Sequence, residues 1–136
     1  MKVTYLGGEP NGIAAMLGGL IEANLAAHPE RERLLQEPAT FAITATDADV
    51  SVSIHLGGGE VKVANGIRGR PDVHVQADSE TLVALSSVPL RFGLPDATTR
   101  EGRGVLRKLV NGELKVKGLA TQSRRLGRLT TLLSVN

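Results

Sequence analysis

The stretch Val105-Leu-Arg-Lys-Leu-Val-Asn-Gly-Glu-Leu-Lys-Val-Lys-Gly118 decides how this chain folds. Its first half places Val105, Leu106, Leu109 and Val110 on the apolar stripe of a helix. Asn111-Gly112 ends that helix, because both residues tolerate the positive φ of a helix stop. In the second half Leu114 and Val116 point one way while Glu113, Lys115 and Lys117 point the other, as in a strand with one wet face. Another amphipathic helix is expected over residues 121–134, carrying Leu126, Leu129, Leu132 and Leu133. A half-buried strand therefore lies between two helices, with no catalytic side chain on its apolar face. That implies a greasy interior rather than a reaction centre.

Working back toward the N-terminus, residues 72–77 alternate through Val73 and Val75 and read as a strand. Asp78 or Ser79 caps a helix that turns Leu82, Val83 and Leu85 inward. Further upstream, Phe41, Ile43 and Ala45, then Val50, Val52, Ile54 and Leu56, then Val61 and Val63 alternate with polar residues. With Gly57-Gly58-Gly59 as a turn, these form an antiparallel meander with one wet face. Ile13, Met16, Leu17, Leu20, Ile21 and Leu25 recur at helical spacing behind Asn11 as cap, which predicts a helix over residues 11–28. Pro29 opens a short charged helix through Glu37, and Pro38 ends it. The segment Val88 to Gly104, with Pro89, Gly93, Pro95, Gly102 and Gly104, reads as a loop. Its Leu90, Phe92 and Leu94 either mark a ligand entrance or cover the edge of the core.

At 136 residues, 41% hydrophobic and 22% charged, the chain is expected to form one soluble domain spanning residues 1–136. Tyr5, Phe41 and Phe92 are its only aromatic residues, so Val, Leu, Ile and Ala must build the core. The absence of cysteine excludes disulfides, thiolate metal sites and thiol catalysis. The longest apolar run, Ile13 to Ala27, is interrupted by Glu22 and Asn24 and is too short to span a bilayer. It also lacks the flanks of a signal peptide, and a cytoplasmic location is expected. Residues 51–136 hold most of the basic excess, including Arg100, Arg103, Arg107, Lys108, Arg124, Arg125 and Arg128. These residues suit anionic head groups, coenzyme A phosphates, an anionic membrane or an acidic partner, while an ordinary solvated helix face is what such runs usually mark.

Several motifs lack the context their chemistry requires. Gly7 and Gly12 have the spacing of a phosphate-binding loop, but Ile13 and Ala14 stand where Lys and Ser/Thr are needed. Arg68-Gly-Arg-Pro71 matches the core of an AT-hook, yet strands flank it and Asp72 follows, so a hairpin turn is expected and nucleic-acid binding is not. His55 and His74 approach one another if their strands are neighbours, with Asp72 on the face of His74. Three or four converging ligands are needed for a metal, and no metal, cofactor or catalytic set is expected.

The series Pro71-Asp-Val-His-Val-Gln-Ala77, Asp78-Ser-Glu-Thr-Leu-Val-Ala-Leu85, the 105–118 block and the Leu-rich last helix resembles the sterol carrier protein-2 (SCP2) domain family. The resemblance covers about residues 40–136. This chain departs from the family pattern at Leu119, where a polar or acidic residue is usual, and in its longer connection from Leu85 to Val105. The resemblance implies an α+β fold: about five strands, mixed or mainly antiparallel, covered by about five helices around a hydrophobic tunnel. It also implies a non-catalytic role in holding a sterol, fatty acid, acyl-CoA or isoprenoid-like lipid. By motif position it assigns the tunnel lining to Val73, Val75, Leu82, Leu85, Leu106 and Leu109. Leu129, Leu132 and Leu133 of the last helix join them as a lid. The residue pattern itself adds Phe41, Ile54, Leu90 and Phe92, and ordinary core packing is the competing reading for every one of these positions. The alternative role is a structural or regulatory subunit of a lipid-metabolism enzyme, with the same fold around a filled cavity.

Overall fold

Alternating apolar and polar residues draw six stretches of the chain into one mixed sheet. The computed structural model describes residues 3–87, 90, 91, 94–118 and 121–135, with 90, 91, 94 and 95 described by backbone alone. In chain order the elements are β1 (Val3–Leu6), α1 (Gly12–Ala27), a 3-10 helix (Pro29–Leu35), β2 (Ala39–Ala45), β3 (Val50–Gly57) and β4 (Glu60–Asn65). β5 (Val73–Ala77), α2 (Ser79–Ser87), β6 (Leu90–Arg91), β7 (Leu94–Pro95), α3 (Arg100–Asn111), β8 (Lys115–Lys117) and α4 (Ser123–Leu133) follow. The large sheet has the order β1-β4-β3-β2-β5-β8, and β6 and β7 form a separate antiparallel pair.

The α+β class and the five helical segments agree with the sequence reading, while the sheet is larger and more mixed. The extra strand is β1, a short stretch that reads as strand-like before Gly7 but lies outside the count of about five strands. β2, β3 and β4 form the expected antiparallel meander, but β1 runs parallel to β4 and β5 runs parallel to β2. Residues 66–72 are therefore no hairpin turn, which corrects the expectation for Arg68 to Pro71. They carry the chain from β4 across β3 and β2 to reach β5. Ser53 holds this crossover against the sheet: its hydroxyl donates to the Gly66 carbonyl at 2.7 Å and accepts from the Arg68 amide at 2.8 Å. Ser53 lies between Ala64 and Ala42 in the register, and all three are no more than 1% exposed. Small side chains there allow backbone to lie directly on the sheet.

The opposite face of the sheet is the core. Val63, Ile54, Phe41 and Val73 stand side by side across four strands, and Val52, Ile43 and Val75 form the next row. All seven are nearly inaccessible, and Leu17 and Ile21 of α1 and Leu126, Leu129 and Leu132 of α4 join the same cluster. Fully burying such a side chain contributes about 1.5–3 kcal/mol, so these rows are the main source of stability.

Asn11 begins α1 as the sequence predicts. Its side-chain oxygen accepts from the Ala14 amide at 2.8 Å, and its own amide donates to Asn65 Oδ1 at 2.8 Å. Asp78 caps α2 through the Thr81 amide at 2.7 Å. α3 begins at Arg100, earlier than expected, so part of the predicted 88–104 loop is helix. Two glycines disguised it. Gly102 is required for close approach, since a Cβ there would lie 1.9 Å from the Asp96 carbonyl oxygen, and Thr99 caps the turn by accepting from the Gly102 amide at 3.0 Å. Two predicted inward positions are corrected: Val83 is 50% exposed and Val110 86% exposed, because each faces outward from its short helix.

Candidate functional site

α4 closes the helical side of the sheet, and polar side chains hold its backbone in place. Buried Asn24 of α1 donates to the Leu132 carbonyl at 2.9 Å. Arg31 of the 3-10 helix donates to the Thr131 and Ser134 carbonyls at 2.8 and 2.6 Å. The last carbonyls of a helix have no partners within it and carry the negative end of its dipole, so a cation there both satisfies and neutralises them. Arg128, within α4, reaches back to the Leu34 carbonyl at 3.1 Å (Nε) and the Glu37 carbonyl at 2.6 Å (Nη2).

The predicted lining residues divide into three groups. Phe41, Ile54, Val73, Leu129 and Leu132 are at most 1% exposed, and Val75 and Leu82 are 6% exposed, all within the core cluster. Leu85, Leu106, Leu109 and Leu133 are half-buried, as is Val116 of β8. Leu85, Leu109, Val116 and Leu133 pack against the core while retaining open surface. They come from α2, α3, β8 and α4. Lys108 Nζ joins α3 to α2 by donating to Thr81 Oγ1 at 2.9 Å, and the Val135 amide joins the end of the chain to α2 through the Ser86 carbonyl at 2.8 Å. The side chain of Leu90 and the whole of Phe92 lie outside the described residues.

The histidines sit on the outer, polar face. His55 is on β3 and His74 on β5, with β2 between them, so the neighbouring-strand approach does not occur. His74 Nε2 is hydrogen-bonded to Thr44 Oγ1 at 2.8 Å, and His55 Nδ1 lies 3.3 Å from Thr40 Oγ1. Both histidines titrate below their ordinary value. Partial burial disfavours the charged ring in each; Lys117 adds to this at His74, and Arg68 and Lys62 at His55. Asp72 is occupied elsewhere, accepting from the Thr40 amide at 2.9 Å and lying 3.8 Å from Arg125. Among the described residues, no three His, Cys, Asp or Glu converge as metal ligands.

Cavities open on the polar regions. One of about 600 Å³ lies between the 3-10 helix and the start of α4, bordered by Arg33, Arg124, Arg125 and Arg128 with Glu37. A second, of about 590 Å³, lies beside the crossover and reaches His74 and Lys117. A third, of about 340 Å³, lies by the β3–β4 turn and His55. None of the predicted lining residues borders these three.

No family model matches the sequence, and no curated protein matches it. Solved structures do resemble its fold. The structure of UbiJ-SCP2, a ubiquinone synthesis protein, superposes with a TM-score of 0.60 at 18% identity, over 89% of this chain and 92% of that one. The fold is SCP2-like. A crystal structure of sterol carrier protein 2 is also similar, with a TM-score of 0.48 at 17% identity over 85% of this chain and 88% of that one. The sheet order follows from the register above, and the 105–118 block is the α3–β8 unit, with β8 at one edge of the sheet.

The sequence reading missed the residues that fix α4. Arg31 stands among Glu30, Glu32 and Arg33, and nothing in that run sets it apart. Arg128 carried a usable signal, since it follows Arg124 and Arg125 at helical i+4 and i+3 spacing and so shares their side of α4.

Proposed function

We propose that this chain binds a hydrophobic lipid non-catalytically, on the helical side of its SCP2-like sheet. The observation that carries this reading is the set of half-open aliphatic side chains Leu85, Leu106, Leu109, Val116 and Leu133, contributed by four different elements. The fold likeness to UbiJ-SCP2, described as a ubiquinone synthesis protein, supports a long apolar ligand of the sterol, fatty-acyl or isoprenoid kind. Removing a methylene from water is worth about 0.8 kcal/mol, so a chain of about twelve carbons gains roughly 10 kcal/mol. Loss of translational and rotational freedom removes about 4 kcal/mol or more, leaving at most about 6 kcal/mol, a dissociation constant of tens of micromolar without any specific polar contact. Low selectivity among lipids follows.

Native mass spectrometry of the purified protein, paired with displacement of a fluorescent fatty acid, tests this. Leu109→Arg puts a charge on the open patch and is expected to weaken the fluorescent ligand about tenfold or more while the melting temperature moves little. Unchanged affinity in that variant, or no binding by the unaltered protein, refutes the reading. A second reading draws on the near-complete burial of Phe41, Ile54, Val73, Leu129 and Leu132: a structural or regulatory subunit whose interior its own side chains fill. Absence of any co-purified or displaceable lipid favours that one.

A further inference from the structure

We propose that the cavity between the 3-10 helix and α4 is a binding site for a phosphate-bearing anion, such as a diphosphate or a phosphomonoester. Four guanidinium groups, Arg33, Arg124, Arg125 and Arg128, surround this space of about 600 Å³, against the single carboxylate of Glu37. That volume falls within the range of about 300–1,000 Å³ usual for small-molecule sites. Like charges gathered around one concavity repel, and the repulsion is stronger where protein excludes water. Two of the four have internal work. Arg128 is spent on the Leu34 and Glu37 carbonyls, and Arg125 bonds the Gln122 side chain and lies 3.8 Å from the Asp72 carboxylate.

Arg33 and Arg124 differ from them. Both are exposed, and neither has a hydrogen-bond or ion-pair partner among the described residues. They stand on the two sides of the cavity, one from the 3-10 helix and the other from α4. Folding needs neither, which leaves their planar donor forks for a ligand; such forks match phosphate oxygens two at a time. The backbone adds to this. The first turn of α4 has no acidic residue and its cap makes no side-chain bond, so the positive end of the helix dipole faces the same region unneutralised. Burial lowers Arg128 below the usual arginine range, with Glu37 opposing and Arg125 reinforcing the effect, as expected of a cation crowded by another cation. Phosphate fits better than carboxylate here because its oxygens point in several directions and can meet donors from both walls.

The site does not depend on the lipid reading. The phosphate belongs either to a lipid head group or to a free small molecule, and two probes separate these sources. Isothermal titration with inorganic pyrophosphate is expected to give a dissociation constant of about 1 mM or tighter at moderate salt. An Arg33→Ala/Arg124→Ala double variant is expected to weaken it roughly tenfold, whereas Arg100→Ala/Arg107→Ala on α3 is not. Short-chain phosphatidate below its micellar concentration supplies the second arm: tighter binding than pyrophosphate, lost in the same double variant, assigns the site to a lipid head group, and weaker binding assigns it to a free phosphate compound. No heat with either probe overturns the proposal. So does equal weakening by the α3 control, which would mark the binding as diffuse attraction to a basic surface.

Discussion

Arg31 offers the sharpest test of how the fold is held. It is only 8% exposed, and its guanidinium donates to the Thr131 and Ser134 carbonyls at 2.8 and 2.6 Å. Arg31→Met keeps the length and much of the apolar volume but removes both donors and the charge. Hydrogen bonds from charged groups contribute about 1.5–3 kcal/mol each, and a cation at a helix C-terminus about 0.3–1 kcal/mol more. Opposing these, the substitution relieves the desolvation of a buried charge, which amounts to a few kcal/mol in real proteins. A net loss of about 2–4 kcal/mol remains, because Ser134 is 1% exposed and water does not readily replace the lost donor. For a domain of this size that lowers the melting temperature by roughly 8–15 °C. Thermal melting followed by circular dichroism reads the total, and hydrogen exchange locates it: the amides of α4 should lose protection before those of β2 and β3. Arg33→Met, two residues away and exposed, is the control and should change stability by no more than about 0.5 kcal/mol. A drop below about 3 °C, or loss of protection spread evenly over the sheet, refutes the assignment of Arg31 as the anchor of α4.

Two further outcomes follow from single positions. At Gly18 of α1 a Cβ would stand 2.3 Å from the Tyr5 hydroxyl and under 3 Å from the ring, so Gly18→Ala should destabilise by about 1–3 kcal/mol in a denaturant melt, and adding Tyr5→Leu should recover much of it; no recovery means the strain lies elsewhere. His55 and His74 are both depressed below 6.5, so the unfolded chain takes up their protons first. The stability they contribute is whole above that value and is lost as pH falls through it toward the lower folded values. The melting temperature should therefore decline from about pH 7.5 to 5.5, and less steeply in a His55→Asn/His74→Asn variant; equal slopes would rule the pair out as its source.

Periodicity carried most of the secondary structure because these elements are one-sided. α1 and α4 bury one stripe, and β2 through β5 bury one face except where the crossover covers Ala42, Ser53 and Ala64, so 3.6- and 2-residue repeats reveal them directly. What stayed hidden was set by single contacts over long separations. Residues 3–6 read as strand-like, but nothing local places them parallel to β4 at the edge of the sheet. Residues 66–72 look like any glycine- and proline-rich turn, and only the seating of Ser53 under Gly66 and Arg68 makes them a crossover. The start of α3 was masked by Gly102, present for an approach to Asp96 that no local pattern encodes. The candidate site was legible to a similar extent. Leu85, Leu109 and Leu133 were identifiable as inward-leaning apolar residues, whereas the division between fully packed and half-open positions depends on how four elements meet. Arg33 and Arg124 read as ordinary surface charge until the fold places them across one cavity.

The division of labour within α4 explains why polar residues matter in so apolar an interior. Leu126, Leu129 and Leu132 bind the helix to the sheet, but dispersion and apolar burial are nearly indifferent to small shifts along the helix axis. Hydrogen bonds are not indifferent: displacement by one residue, a rise of about 1.5 Å, would break a bond made at 2.6–2.9 Å. Asn24 and Arg31 grip the end of the helix, and Arg128 grips it one turn after its start, so its axial position is fixed at both ends. Leu133 of the half-open set and Arg124, Arg125 and Arg128 of the cavity lie on this one helix. Three backbone-directed side chains therefore set where α4 rests along its length, and the leucines supply the energy that holds it down.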